Sequence, residues 1–139
     1  MIPIISTLMT EHIYSITAEK SVQEGAEEMA SENIGSLLVE QKGKYIGMIT
    51  EVDIIRKVVA KKREPSSVTI SEVMAAPIVT IGHDQTIIEA HDLMEEQQIR
   101  HLAVTRYGEI IGIVSVRDFL HPIFIEKGSE DLVQKASGF

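Results

Sequence analysis

Hydrophobic and polar positions follow two periods along this chain, and the switches between them mark out its elements. The segments "HIYSI" (12–16) and "PIVTI" (77–81) are short and rich in β-branched residues, which predicts strands. Each is followed by a capping-box pattern, Ser21-x-x-Glu24 and Thr86-x-x-Glu89. Behind each box, apolar positions recur at i, i+4 and i+7: Val22, Ala26 and Met29, then Ile87, His91 and Met94. That spacing predicts helices with one buried stripe. "IGSLLVE" (34–40) and "IRHLAVT" (99–105) read as strands, and "QKG" (41–43) and "RYG" (106–108) as turns with glycine suited to positive φ. "YIGMIT" (45–50) and "IIGIVS" (110–115) are second strands, apolar enough to be buried on both faces. A helix from about Glu51 to Lys62 follows, acidic at its start and basic at its end ("KKR", 61–63), as the helix dipole favours. The order is β-α-β-β-α, written twice, and the class is α/β (α+β).

The doubling is an internal repeat. Shifted by 65 residues, positions 8–59 fall on 73–124 without a gap. Identical pairs include Ile5/Ile70, Ser6/Ser71, Met9/Met74, Glu24/Glu89, Met29/Met94, Gly47/Gly112 and Asp53/Asp118. Two copies are too few for a solenoid, so a tandem pair of small subdomains fits better. The copies are read as 1–64 and 65–126, with "REPSSVT" (63–69) as linker, because its proline and serines break both periods. Residues 127–139 form a C-terminal tail in which Ser129 predicts the cap of a short helix through Lys135. Pro122 stands where the first copy has Lys57, so the last helix of the second copy is expected to stop early or kink. A subdomain of about 55 residues is marginal alone. The apolar second helices would leave surface exposed, which predicts a homodimer.

Composition narrows the partners. The chain has 139 residues, 44% of them hydrophobic, so it can build a core. A net charge of −8 opposes binding to nucleic acid or an anionic membrane. The absence of cysteine rules out thiolate metal sites and suits a reducing compartment. No apolar run reaches membrane-spanning length, and the first residues lack the basic region of a signal peptide. The expected setting is cytoplasmic.

The candidate chemistry lies in "GMITEVD" (47–53) and its copy "GIVSVRD" (112–118). Thr50-x-x-Asp53 is itself a capping-box pattern, and capping alone is the bland reading. A hydroxyl and a carboxylate at a helix start also form a candidate grip on a ligand. The paired motif G-h-h-[ST]-x-x-D, with h apolar, within a matching β-α-β-β-α repeat over roughly residues 4–124, resembles the CBS domain pair, or Bateman module. The resemblance implies tandem repeats with pseudo-two-fold symmetry, packed as a disc-like dimer. It implies a regulatory, ligand-sensing module and not an enzyme, taking adenosine-containing ligands: AMP, ADP, ATP or S-adenosylmethionine. No catalytic cofactor and no metal are implied; the adenine nucleotide or S-adenosylmethionine is a regulatory ligand, and an unidentified target protein receives the signal.

By the same resemblance, Asp53 and Asp118 accept hydrogen bonds from ribose hydroxyls, and Thr50 and Ser115 sit by the ribose or phosphate. The Asp53 cleft is expected to draw on Ile34, Gly35 and Ser36, with Ile78 and Val79 from the other copy. The Asp118 cleft is expected to draw on Ile99, Arg100 and His101, with Ile13 and Tyr14. Arg100 and His101 are expected to act as a basic pair toward phosphates in the Asp53 cleft. The competing reading is a structural dimerisation or protein-interaction module with empty clefts. His91 reads as a structural residue on an apolar face, and no histidine spacing matches a zinc motif. Ser6 and Ser71 read as turn caps, lacking a paired base. Met9 and Met74 read as core filler.

Overall fold

In the computed structural model, residues 1–120 are described. They form six strands in two sheets of three, each sheet with its own helices. The Pro122 and Ser129 expectations lie outside the described residues. The described chain falls into two compact units, Ile13–Ile78 and a second made of residues 1–12 with residues 79–120.

The Ile13–Ile78 unit contains β1 (Ser15–Thr17), α1 (Val22–Glu32), β2 (Ser36–Gln41), β3 (Lys44–Thr50), α2 (Glu51–Ile54) and α3 (Ile70–Val73). The sheet order is β1-β2-β3, with β1 parallel and β3 antiparallel to β2. Helix α1 starts where its capping box predicts: the Ser21 backbone N–H donates to Glu24 at 2.9 Å, and Ser21 Oγ accepts from the Glu24 N–H at 3.1 Å. The β2–β3 turn places Lys42 at φ 52° and Gly43 at φ 76°. Positive φ at both central residues is the signature of a type I′ hairpin, whose twist matches the strands it joins. Past α2 the chain widens into a π-helical turn, Ile55–Val59, with Ala60 N–H donating to Ile55 O. The helix expected to reach Lys62 therefore ends at Val59.

The other unit repeats this with β4 (Thr80–Gly82), α4 (Ile87–Gln97), β5 (His101–Arg106) and β6 (Glu109–Ser115). Its sheet order is β4-β5-β6, and both sheets shift register at equivalent places, Val39/Glu40 and Val104/Thr105. After β6 comes a 3-10 turn, Val116–Leu120, where the first copy has an α-helical start. The predicted strands at 12–16 and 77–81 start about three residues later, at Ser15 and Thr80.

The leading segment of each copy packs into the core of the other. Ile70 is fully buried beside Ile16, Val22 and Leu37, although it belongs to the second copy by repeat. Its N–H donates to Lys20 O, and Val22 N–H donates to Val68 O. Ile5, its repeat partner, is fully buried with Ile81, Ile87 and Leu102, and its N–H donates to Gln85 O. "REPSSVT" thus does more than link, since Val68 is buried in the Ile13–Ile78 unit. The spatial units consequently cut the chain at places other than the 64/65 boundary of the repeat. Burying one isoleucine is worth about 1.5–3 kcal/mol, so each swapped segment is a substantial part of its host core. His91 is buried on α4 beside Met94, as its apolar face predicts. No helix among the described residues is long and apolar enough to cross a membrane.

Candidate functional site

Each sheet gathers the motif residues at one end. In the Ile13–Ile78 unit, β1 runs parallel to β2, so both strands begin there, and antiparallel β3 finishes there. Ser36 pairs with Thr50, Leu38 N–H donates to Tyr14 O, and Glu51 N–H donates to Gly35 O at 3.1 Å. Tyr14, Ile34, Gly35, Ser36, Thr50 and Asp53 therefore share one end of one sheet. In the other unit His101 pairs with Ser115, Ala103 N–H donates to Val79 O, and Val116 N–H donates to Arg100 O. Val79, Ile99, Arg100, His101, Ser115 and Asp118 share the equivalent end there. By unit, Ile13 and Tyr14 lie with Asp53, and Val79 with Asp118, while the resemblance had grouped them crosswise.

Asp53 is fixed by three contacts. Its Oδ2 accepts from the Thr50 N–H at 3.0 Å and from Thr50 Oγ1 at 3.2 Å. Its Oδ1 lies 3.0 Å from Lys57 Nζ, one helical turn on. The same ammonium donates to Val73 O at 2.9 Å, at the end of α3. The Thr50 hydroxyl in turn accepts from the Asp53 N–H at 3.4 Å, so this helix start is capped reciprocally.

Asp118 is held differently. Its Oδ2 accepts from the Ser115 N–H at 2.7 Å, with Ser115 Oγ at 3.5 Å. No described cation pairs with it, and the repeat position of Lys57 is Pro122. Burial pushes the Asp118 carboxyl above the ordinary carboxylate range, against the lowering pull of the Ser115 N–H. Two copies of one motif thus carry carboxylates in unlike electrostatic settings.

The surroundings also differ. Over Gly35 sits the Glu51 side chain, close enough that an added Cβ would lie 2.7 Å from Glu51 Oε1. The second copy has Arg100 and Val116 at these places. His101 is pushed down to about 4 by burial, then by the charges of Arg117 and Arg100. The expected basic pair therefore reduces to one cation at neutral pH: His101 is uncharged there, because burial penalises the imidazolium and two guanidiniums repel it. Sequence reasoning missed Lys57. Its signal was present as Asp53-x-x-x-Lys57, an i, i+4 ion-pair spacing on a predicted helix.

Known proteins resemble this chain in sequence, and solved structures resemble it in fold. The CBS domain family matches residues 5–60 and 70–124. The CBS domain-containing protein YhcV of Bacillus subtilis is 29% identical, over 82% of this chain and 81% of its own length. A protein of Methanopyrus kandleri is 37% identical over 68% of this chain, which corresponds to 50% of that protein. Among solved structures, a protein with CBS domains from Burkholderia ambifaria is 32% identical with a TM-score of 0.79, covering 84% of this chain and 86% of that one. A hexameric CBS-CP12 protein from bloom-forming cyanobacteria is 27% identical with a TM-score of 0.82, covering 91% of this chain and 75% of that one. With two family matches in tandem, two equivalent sheets and the G-h-h-[ST]-x-x-D motif at the end of each, this chain belongs to the CBS domain family as a tandem CBS pair.

Proposed function

We propose that this CBS pair senses an adenosine-containing ligand of the AMP, ADP, ATP or S-adenosylmethionine class and passes its occupancy to a partner protein. The observation that carries the reading is the carboxylate at the end of each sheet. Asp53 and Asp118 are each held by a backbone N–H, which fixes the carboxylate while leaving acceptor capacity on Oδ1. An ionised carboxylate is a strong acceptor for paired hydroxyls, and such charge-assisted bonds are roughly twice as strong as neutral ones. Both motifs sit beside the strand starts that supply Tyr14, Ile34 and Ser36 in one unit and Val79, Ile99 and His101 in the other. This is the role of a binding module, not of an enzyme.

Self-association is the second part of the reading. Ile55 and Val59 are 59% and 60% exposed one turn apart on the same helix, an apolar face without a described cover. The similar cyanobacterial CBS-CP12 protein is hexameric, which supports self-association here. The dimerisation-only alternative rests on the same face with empty ligand sites.

A thermal shift with AMP, ATP, S-adenosylmethionine and NADH separates the two. A ligand at about 100 times its Kd should add about 2.7 kcal/mol to stability. A rise with one or more of these supports the sensor; no rise with any, together with a stable dimer by light scattering, supports the interaction module. Mass spectrometry of ligands retained by the native protein names the ligand directly.

A further inference from the structure

Lone-pair counting separates the two carboxylates. A carboxylate has about four lone-pair sites, two on each oxygen. At Asp53, Oδ2 already accepts from both the backbone N–H and the hydroxyl of Thr50, and Oδ1 holds Lys57 Nζ at 3.0 Å. One site is left. At Asp118, Oδ2 accepts from Ser115, while Oδ1 accepts from no described residue. Among the described residues both of its Oδ1 sites are unclaimed, enough for the two hydroxyls of a cis-diol.

Lys57 is also anchored from behind. Its Nζ donates to Val73 O at 2.9 Å, so the ammonium is fixed at both ends. The Asp53 side chain is 13% exposed and that of Lys57 46%, so the contact to Asp53 is partly sheltered from water. Removing Lys57 from Asp53 therefore breaks a sheltered charge-assisted bond. The second copy has no such residue, because Pro122 occupies the position.

We propose that Lys57 is a built-in counter-ion that determines specificity: it occupies Asp53 in place of a ribose hydroxyl, making Asp118 the stronger diol-binding carboxylate and Asp53 the weaker one. The inference rests on the adenosine-ligand reading above. Ligand at Asp53 either makes do with one hydroxyl contact or displaces Lys57. Displacement also loosens the Lys57 bond to Val73 O, at the end of the segment supplied by the second copy. A ligand at Asp118 meets no such competitor among the described residues.

The test uses adenosine, which has no phosphate for Lys57 to attract, in calorimetric titrations of the full chain. Wild type should show a tighter and a weaker event, and Asp118→Asn should remove the tighter one. Adding Lys57→Met to Asp118→Asn should tighten the remaining event about three- to fivefold, the most that displacing a partly exposed ion pair can cost the ligand. Lys57→Arg, which keeps the cation, should leave it weak and guards against a trivial folding effect. An unchanged or weaker remaining event in the Lys57→Met background overturns the role of Lys57 while the ligand reading stands. Loss of the weaker event rather than the tighter one in Asp118→Asn reverses the ranking and also overturns it. No adenosine binding to any variant sinks both.

Discussion

Met74 lies across the face of Gly47 so closely that a Cβ on the glycine would come 2.7 Å from Met74 Sδ and 2.8 Å from Ala75 O. The repeat partners do the same: a Cβ on Gly112 would lie 2.9 Å from Met9 Sδ and 2.8 Å from Thr10 O. These glycines open the G-h-h-[ST]-x-x-D motif, and the segments that cross them are the swapped leaders of the opposite copies. Backbone bonds lock each crossing, Met48 with Ala75 and Ile113 with Thr10. Glycine is needed there because another backbone runs over the strand.

Gly47→Ala tests this. The methionine sulfur can move, but Ala75 cannot: its carbonyl accepts from the Met48 N–H and its own N–H donates to Met48 O. The expected cost is about 1–3 kcal/mol, the usual size of overpacking. Urea denaturation should show it as a lower midpoint with an unchanged slope. Gly112→Ala should behave alike, and a cost near zero at both positions would mean the crossings are loose.

The swapped isoleucines make a second prediction. Ile70→Ala and Ile5→Ala should each cost about 2–5 kcal/mol, because both side chains are fully buried. The location of the damage is the sharper readout. Ile70→Ala should lower hydrogen-exchange protection first in β1–β3, and Ile5→Ala first in β4–β6. If Ile70→Ala instead loosened its own copy's strands first, the swap would be refuted.

Much of this was legible in the sequence, for identifiable reasons. Capping boxes at Ser21 and Thr86 and the turn glycines Gly43 and Gly108 are local devices, and local devices can be read from three or four residues. The swap was not legible in this way. Ile5/Ile70 and Met9/Met74 are conspicuous in the repeat, but a repeat says that two segments are equivalent, not which core receives them. The chain path through Val68 and Ile70 is decided by long-range burial, which no window of sequence contains. At the site, the carboxylates were found because they recur, while Lys57 was overlooked because it does not. The charge of His101 was misjudged because its neutrality comes from burial beside Arg117 and Arg100, a property of the fold.

His101 gives a pH prediction. Its folded value of about 4 lies below the ordinary 6.5, so between these the unfolded chain binds more protons. Stability from this group is complete above about 6.5, rises with pH across the window, and is lost as pH falls through about 4. Asp118 acts with the opposite sign: its raised value makes the folded state bind the extra proton, so its contribution is present in acid and lost as pH rises through the folded value. His101→Gln should flatten the rise of stability between pH 4 and 6.5 in urea melts, leaving the Asp118 trend exposed. A slope identical to wild type would show that His101 titrates normally.

The two aspartates should separate capping from ligand binding. In Asp118→Asn the amide oxygen can still accept from the Ser115 N–H, and a half-buried charge without a described counter-ion is removed. Stability at pH 7 should hold within about 0.5 kcal/mol or improve, since a partly desolvated charge with no described counter-ion is costly. In Asp53→Asn the Thr50 contacts can persist, but Lys57 loses its carboxylate. Because Lys57 is 46% exposed, screening limits the loss to below about 1 kcal/mol, still a net cost. Denaturation midpoints should therefore rank Asp118→Asn at or above wild type and Asp53→Asn below it, while adenosine titration ranks Asp118→Asn as the more damaging change. A residue conserved between the copies only for capping would weaken folding and binding together. Opposite rankings in the two measurements would mark Asp118 as a group whose partial desolvation is tolerated for the ligand it holds.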